Sequence, residues 1–456
     1  MLHEPGTHAA RWAAAAETVG MFASGCVEYV LAKEWYDYFH MYVLRLEPRP
    51  FCDSNHSCDY LPGSHLEFVL ALVLFLSGAL INVAARSKAF AWVPSANVIP
   101  GMTSMACGFA LGDAVLTLRV EMYDAYGMAC GMRSGGNAYS NCTLVDILVA
   151  VVATLVVAFT VTALLPLTRS IECGDTALVD TLEDYMQTVF RLISKALVTT
   201  AMVIWTKVLT RWATFGVDRP TEGLSAESLA AVARLQATSM SRTHLFWAAA
   251  ITWLGSVIAV TCAHAQAALL PPGGAVKLEE AADKARVLWV KTVSELNRLG
   301  QSMLGWVAGC AWTDVVADLW PPTYWDPDAD AHGMMVVLLN LGFAAVLTGL
   351  SAAYLVYTHE ASLFEATSRT DVERSFLTGA MSFFVGWQWV IVLRDVTAVI
   401  YLARWDGHMQ VLLGARPGVV VVGVAVSLFT VVFFVVKHRL VTGQWVGGIE
   451  KGALSA

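Results

Sequence analysis

The sequence predicts an all-α polytopic integral membrane protein of about ten transmembrane helices, built as five parallel two-helix repeats within a single membrane domain. Three observations predict it. Hydrophobic residues make up 57% of the 456 and charged residues only 14%, with a mean hydropathy of +0.57, whereas soluble domains are about a quarter charged. Several runs reach the roughly 20 apolar residues that cross a bilayer. Between those runs lie segments that share a frame of small, aromatic and ionisable residues. Helices follow because only helices and closed barrels satisfy the backbone in lipid, and the short alternating strands of a barrel are missing.

The frame is clearest from Gln301 to Trp320, with Gly309, Trp312, Asp314 and Asp318. The segment Ala380 to Asp395 repeats it, Gly386 falling on Gly309, Trp389 on Trp312 and Asp395 on Asp318. Looser copies run from Gly25 to Glu34, from Gly108 to Asp113, and from Met202 through Trp205 and Lys207 to Arg211. Gly305, Gly309, Gly379 and Gly386 recur at helical spacing and predict close helix approach, as small residues allow in membranes. Odd-numbered spans carry the frame and even-numbered spans are plain apolar runs.

Taken in order, the expected spans are 9–38, 66–85, 100–119, 144–167, 193–212, 245–265, 299–318, 334–357, 378–402 and 418–436. The first holds Glu17 and Glu28 and lacks a cleavage site, so it reads as a span and not a signal peptide. Pro100 suits a first helical turn, and Arg86 and Lys88 anchor the end of the second span. Helical extensions on the inner side are expected at 178–195, 276–298 and 361–376; Leu182, Met186, Val189 and Ile193 make the first amphipathic. Thr221 to Thr243 reads as a short separate helix on the outer side.

Eight of the nine cysteines divide by position. Cys26, Cys107, Cys262 and Cys310 fall in spans, as small buried residues do. Cys52 and Cys58 share one polar loop, and Cys130 and Cys142 another, which predicts disulfides and an oxidising compartment. The sequons at Asn55 and Asn141 fall in the same two loops and predict glycosylation there. Both loops then face the outside or a lumen, both termini the cytosol, in a plasma membrane or endomembrane. Basic residues favour the inner side only slightly, in the expected sense.

Ionisable residues inside spans cost about 2.5–3.5 kcal/mol each on insertion scales and tend to face an interior or a wet path. Glu28, Asp113, Lys207, Asp314, Asp318 and Asp395 are therefore the transport-path candidates. Arg211, Asp318 and Asp395 lie close enough to helix ends to snorkel. Lys207 and Asp314 share a column of the frame, so Lys207 is expected to pair with Asp314 or with Asp113.

Enzyme signatures are missing: no two of the 11 histidines stand at metal-binding helical spacing, and no phosphate-binding, zinc-hydrolase or nucleophile-elbow motif occurs. Asp326, Asp328 and Asp330 alternate as in a calcium loop, but Ala331 and Val337 stand where glycine and glutamate belong. The pattern thus calls for no enzyme activity, no metal and no cofactor. The partners expected are the lipid bilayer and a small ion, without nucleic acid; the oligomeric state is left open. The function expected is passage of a small ion, cation or proton favoured, as a channel or secondary transporter lined by the odd-numbered helices. The alternative is a non-conducting scaffold or receptor whose intramembrane charges fix helix pairing.

Overall fold

The computed structural model describes residues 8–43, 64–86, 98–125, 138–169, 177–214, 226–269, 281–319, 330–362, 368–402 and 417–441. Among the described residues the chain is all-helical, with ten α-helices: α1 (His8–Asp37), α2 (Ser64–Arg86), α3 (Val98–Ala125), α4 (Ala138–Arg169), α5 (Ala177–Thr214), α6 (Ala226–Leu269), α7 (Ala281–Leu319), α8 (Asp330–Ser362), α9 (Ser368–Leu402) and α10 (Pro417–Val441). A π-helical turn, Tyr38–Val43, continues α1. Seven helices are long and apolar enough to cross a membrane, through segments of α2, α3, α4, α5, α6, α8 and α9. The protein is membrane-embedded.

The odd-numbered helices close a ring. Each packs on the next in the order α1, α3, α5, α7, α9 and back to α1. They run parallel: Gly101 of α3 meets Glu28 of α1 near one end, and Tyr36 of α1 bonds Asp113 of α3 nearer the other. We term the end where α1 starts proximal and the end where it finishes distal. The even-numbered helices lie outside, α2 on α3, α4 on α5, α6 on α7, α8 on α9 and α10 on α1. Burial follows this division, since 56–67% of the apolar segments of α3, α5 and α9 is buried against 17–33% for α2, α4, α6 and α8. Leu72, Leu76, Phe159, Trp253, Leu350 and Val431 project from the outer helices as exposed apolar side chains, a surface suited to lipid tails.

One contact recurs at four inner–outer seams. The indole Nε1 of Trp205, Trp312, Trp389 and Trp35 donates to Thr154, Thr252, Thr348 and Thr430 respectively, at 2.9–3.0 Å. Each threonine hydroxyl in turn donates to the carbonyl four residues back, on Ala150, Ala248, Ala344 and Val426. The indole thereby finds a partner where lipid would offer none. At the α2–α3 seam Cys107 Sγ reaches the Ala71 carbonyl instead, at 3.4 Å.

The ring is drawn tight by small residues. A Cβ on Gly309 would lie 2.6 Å from the Ala380 carbonyl oxygen, and one on Gly25 would lie 2.9 Å from the Ser382 Cβ. Gly305 and Gly386 face neighbours as the frame predicts, whereas the space beside Gly379 is open for 4 Å; Gly379 is therefore not a packing position. At the distal side Ser64 opens α2 by donating through its hydroxyl and N–H to Glu121 of α3, at 2.6 and 2.8 Å. Those bonds hold the Glu121 carboxyl below its ordinary value, and its charge complements the α2 N-terminus.

All ten expected spans fall inside helices, with some different boundaries. Of the short helix expected over Thr221 to Thr243, residues 226–243 are the first part of α6, which runs unbroken for 44 residues from Ala226. The extension before span five is continuous with α5, whose 38 residues reach about 57 Å at about 1.5 Å per residue, well beyond a hydrocarbon core of about 30 Å. The extension before span seven begins at Ala281. Ala361 and Ser362 end α8, and the ninth helix starts at Ser368. Cys52, Cys58, Cys130 and Asn55 lie outside the described residues. Asn141 and Cys142 are not in a loop: α4 begins at Ala138 and includes both. Cys26, Cys107, Cys262 and Cys310 are free thiols, and no disulfide occurs among the described residues.

Gly309→Ala is expected to destabilise the detergent-solubilised protein by about 1–3 kcal/mol, the usual range for overpacking a tight contact. Gly379→Ala is expected to be neutral or to stabilise by up to about 1 kcal/mol through helix propensity. Thermal unfolding of the two variants side by side checks the seam.

Candidate functional site

The interior of the ring is filled by an aromatic layer. Tyr29 of α1, Phe109 of α3, Trp306 of α7 and Phe383 of α9 are buried and pack mutually, with ring centroids from 4.2 Å (Trp306 to Phe383) to 5.9 Å (Tyr29 to Phe109). Met202 of α5 is buried in the same cluster. All five inner helices therefore contribute to this core, which closes the ring interior at mid-height.

Ionic contacts flank the layer on both sides. Proximally, Lys195 Nζ of α5 donates to Glu28 Oε2 of α1 at 2.7 Å. The pair lies over the bare backbone of Gly101, where a Cβ would come within 2.9 Å of either charged group. Distally, Asp37 of α1 accepts from two cations. Lys33 Nζ reaches Oδ1 at 2.6 Å, and Arg394 of α9 reaches Oδ2 through Nε at 2.9 Å and a terminal nitrogen at 2.8 Å. Both guanidinium nitrogens converge on Oδ2, which leaves Oδ1 to Lys33.

Both cations also touch aromatic faces. Lys33 Nζ lies 4.6 Å from the centre of the Tyr36 ring and 5.4 Å from that of Phe109, and the Arg394 guanidinium lies 5.6 Å from that of Trp387. These distances fall within the reach of cation–π attraction. The upper face of the aromatic layer thus carries a bound ammonium group from the protein itself.

Further carboxylates complete the distal cluster. The Tyr36 hydroxyl donates to Asp113 Oδ2 at 2.5 Å. His40, in the π-helical turn, stacks on Tyr36 and brings Nε2 to 2.7 Å from Glu67 of α2, in a geometry that is not an aligned hydrogen bond. Arg119 of α3 bonds the buried Asp146 of α4. π-Helical turns break the regular ladder and often mark functional positions; this one sets Tyr38, His40 and Tyr42 just beyond the charges of α1.

The structure distributes the expected path residues unevenly. Glu28 and Asp113 join the ring interior through Lys195 and Tyr36. Asp395 is buried but turns towards α8, accepting from Asn340 Nδ2 at 2.7 Å. Asp314 is half-buried beside a cavity lined by Thr206, His244, Trp247 and Cys310, and Lys207 is exposed. Both act on the Cys310 thiol electrostatically, but the ion pairs that tie the ring interior use other partners. Asp318 lies in α7, with its side chain outside the described set.

Sequence reasoning passed over Lys33, Asp37, Arg394 and Lys195. Lys33 and Asp37 stand four apart on one helix face, a legible pair signal. Lys195 falls at the end of an amphipathic extension, and Arg394 directly precedes Asp395, whose place in the repeated frame is the stronger signal.

Asp37→Asn leaves Lys33 and Arg394 without their shared counter-charge. Breaking a fully buried pair costs about 3–5 kcal/mol, and because the Arg394 side chain is 36% exposed the lower end of that range is expected. A comparison of detergent melting curves for this variant and wild type gives the value; an unchanged melting temperature would mean that the contact contributes nothing.

No family model matches the sequence, and neither the curated proteins nor the solved structures compared with it give a match.

Proposed function

We propose that the protein passes a small ion, a cation or a proton, across the membrane along the axis of the ring formed by α1, α3, α5, α7 and α9. The observation that carries this reading is the order of layers inside the ring: an ion pair, a packed aromatic layer, then a second ionic cluster. Intramembrane charges that face an interior are the usual markers of ion and proton pathways. The aromatic layer acts as a closed gate between the ionic layers, so passage as a channel or a secondary carrier requires it to part.

The ring is five parallel two-helix units in this reading, each an inner and an outer helix, giving ten spans. The recurring tryptophan-to-threonine bonds support it and correct the register of the first copy. Trp35 takes the place of Trp205, Trp312 and Trp389. Ala32 then aligns with Gly309, two turns later than Gly25. In that register Tyr29, Trp306 and Phe383 share one column, and Asp37, Asp113, Lys207 and Asp314 share another. Both termini are assigned to the cytosol, on the sequons and paired cysteines.

Purified protein in liposomes is expected to give ion flux above that of empty liposomes. Phe383→Ala, which removes one ring from the gate, is expected to raise the basal leak severalfold. A lack of flux in both would favour the alternative, a membrane scaffold or receptor in which the ion pairs serve only to fix helix register.

A further inference from the structure

We propose that the Glu34 carboxyl is the proton-binding site of this protein, holding a proton in the conformation seen here and exchanging it through the cavity between α1, α9 and α10. The inference rests on the ion-passage reading and deepens it by naming the proton as the ion.

Glu34 is 3% exposed, and its Oε1 has no hydrogen-bond partner among the described residues. It lines a cavity together with Asp37, Arg394 and Thr397, closed on the α10 side by Val422 and Val426. The hydroxyl-bearing Tyr38 and Tyr42 of the π-helical turn reach the same cavity. Buried ionised carboxylates need donors on their oxygens; a protonated one is neutral and tolerates a lone acceptor without a partner.

The bonding of the neighbouring charged groups points the same way. The charged groups acting on Glu34 are Asp37 and Lys33 from its own helix and Arg394 from α9; α10 presents only valines to the cavity. Lys33 and Arg394 both bond Asp37, and Lys33 lies over the ring of Tyr36, whose hydroxyl bonds Asp113. The bonds that both cations make thus go to Asp37, which leaves the Glu34 Oε1 without a donor from either of them. A metal cation is a poor occupant, because the Arg394 guanidinium lines the cavity too.

Release is a plain acid dissociation. The O–H bond of the carboxyl breaks, the electron pair stays on the carboxylate, and the proton passes to a water entering the cavity. The new charge then competes with Asp37 for Arg394, which would loosen the α1–α9 contact above the aromatic layer.

Two measurements test the proposal. Infrared difference spectroscopy of the full chain in nanodiscs, comparing light and heavy water at neutral pH, is expected to show a protonated buried-carboxyl band that disappears in Glu34→Gln. Glu34→Gln is expected to fold as wild type, since a neutral amide replaces a neutral acid. In liposomes carrying a pH-sensitive dye, its proton flux is expected to fall at least about tenfold, as for loss of a relay group. A band unchanged in Glu34→Gln, failure of that variant to fold while Glu34→Asp folds, or proton flux at the wild-type rate would each overturn the proposal. Flux of another ion with no infrared band would leave ion passage standing without this site. A Glu34 band in a protein that passes no ion would keep the proton site and remove the transport reading.

Discussion

Charges placed in the apolar part of a membrane protein must find their partners inside it, and here that requirement holds the inner helices together. Asp37 is the clearest case. It is buried, and it accepts from Lys33 on its own helix and from Arg394 on α9, more than three hundred residues away in sequence. Glu28 with Lys195 ties α1 to α5, and Tyr36 with Asp113 ties α1 to α3. α1 is for this reason a central helix: it offers Phe22, Val30, Leu31 and Tyr36 to the core and its charges to three neighbours.

Around that core, neutral contacts do the positioning. Glycines let the inner helices approach to backbone distance, and tryptophans tie each of four inner helices to an outer one. These bonds are individually modest, near 1 kcal/mol net in typical cases. Their placement matters more than their strength, because an indole N–H facing hydrocarbon would otherwise lack a partner. The outer helices are left with an apolar exterior.

The sequence makes the helices legible and the ring only partly so. Long apolar runs such as Leu66 to Ala85 announce themselves by composition, and Gly309 marks a real seam, whereas the hydrogen bond from Trp312 to Thr252 is not legible in the spacing. Gly379 shared the spacing of Gly309 but not its neighbour, which periodicity cannot distinguish. The Lys207 and Asp314 column conveys shared depth, whereas rotation about each helix axis is not legible in it. Arg394 is hidden for a related reason: at the end of a span, a charge looks like a snorkelling anchor until the helix facing it is known. Asn141 and Cys142 read as loop residues because polar composition marked the span boundary, whereas α4 starts earlier.

The account stands on α1 closing the ring against α9, and a native thiol makes that contact measurable. Cys26 Sγ donates to the Ser382 carbonyl oxygen at 3.2 Å. In a Ser382→Cys variant with a protease site inserted between α8 and α9, mild oxidation should join Cys26 to the new thiol. After cleavage the two fragments should then migrate together without reductant and separate with it. Fragments that separate without reductant, from protein that is folded and oxidised, would mean that α1 and α9 are not neighbours, and would contradict the ring.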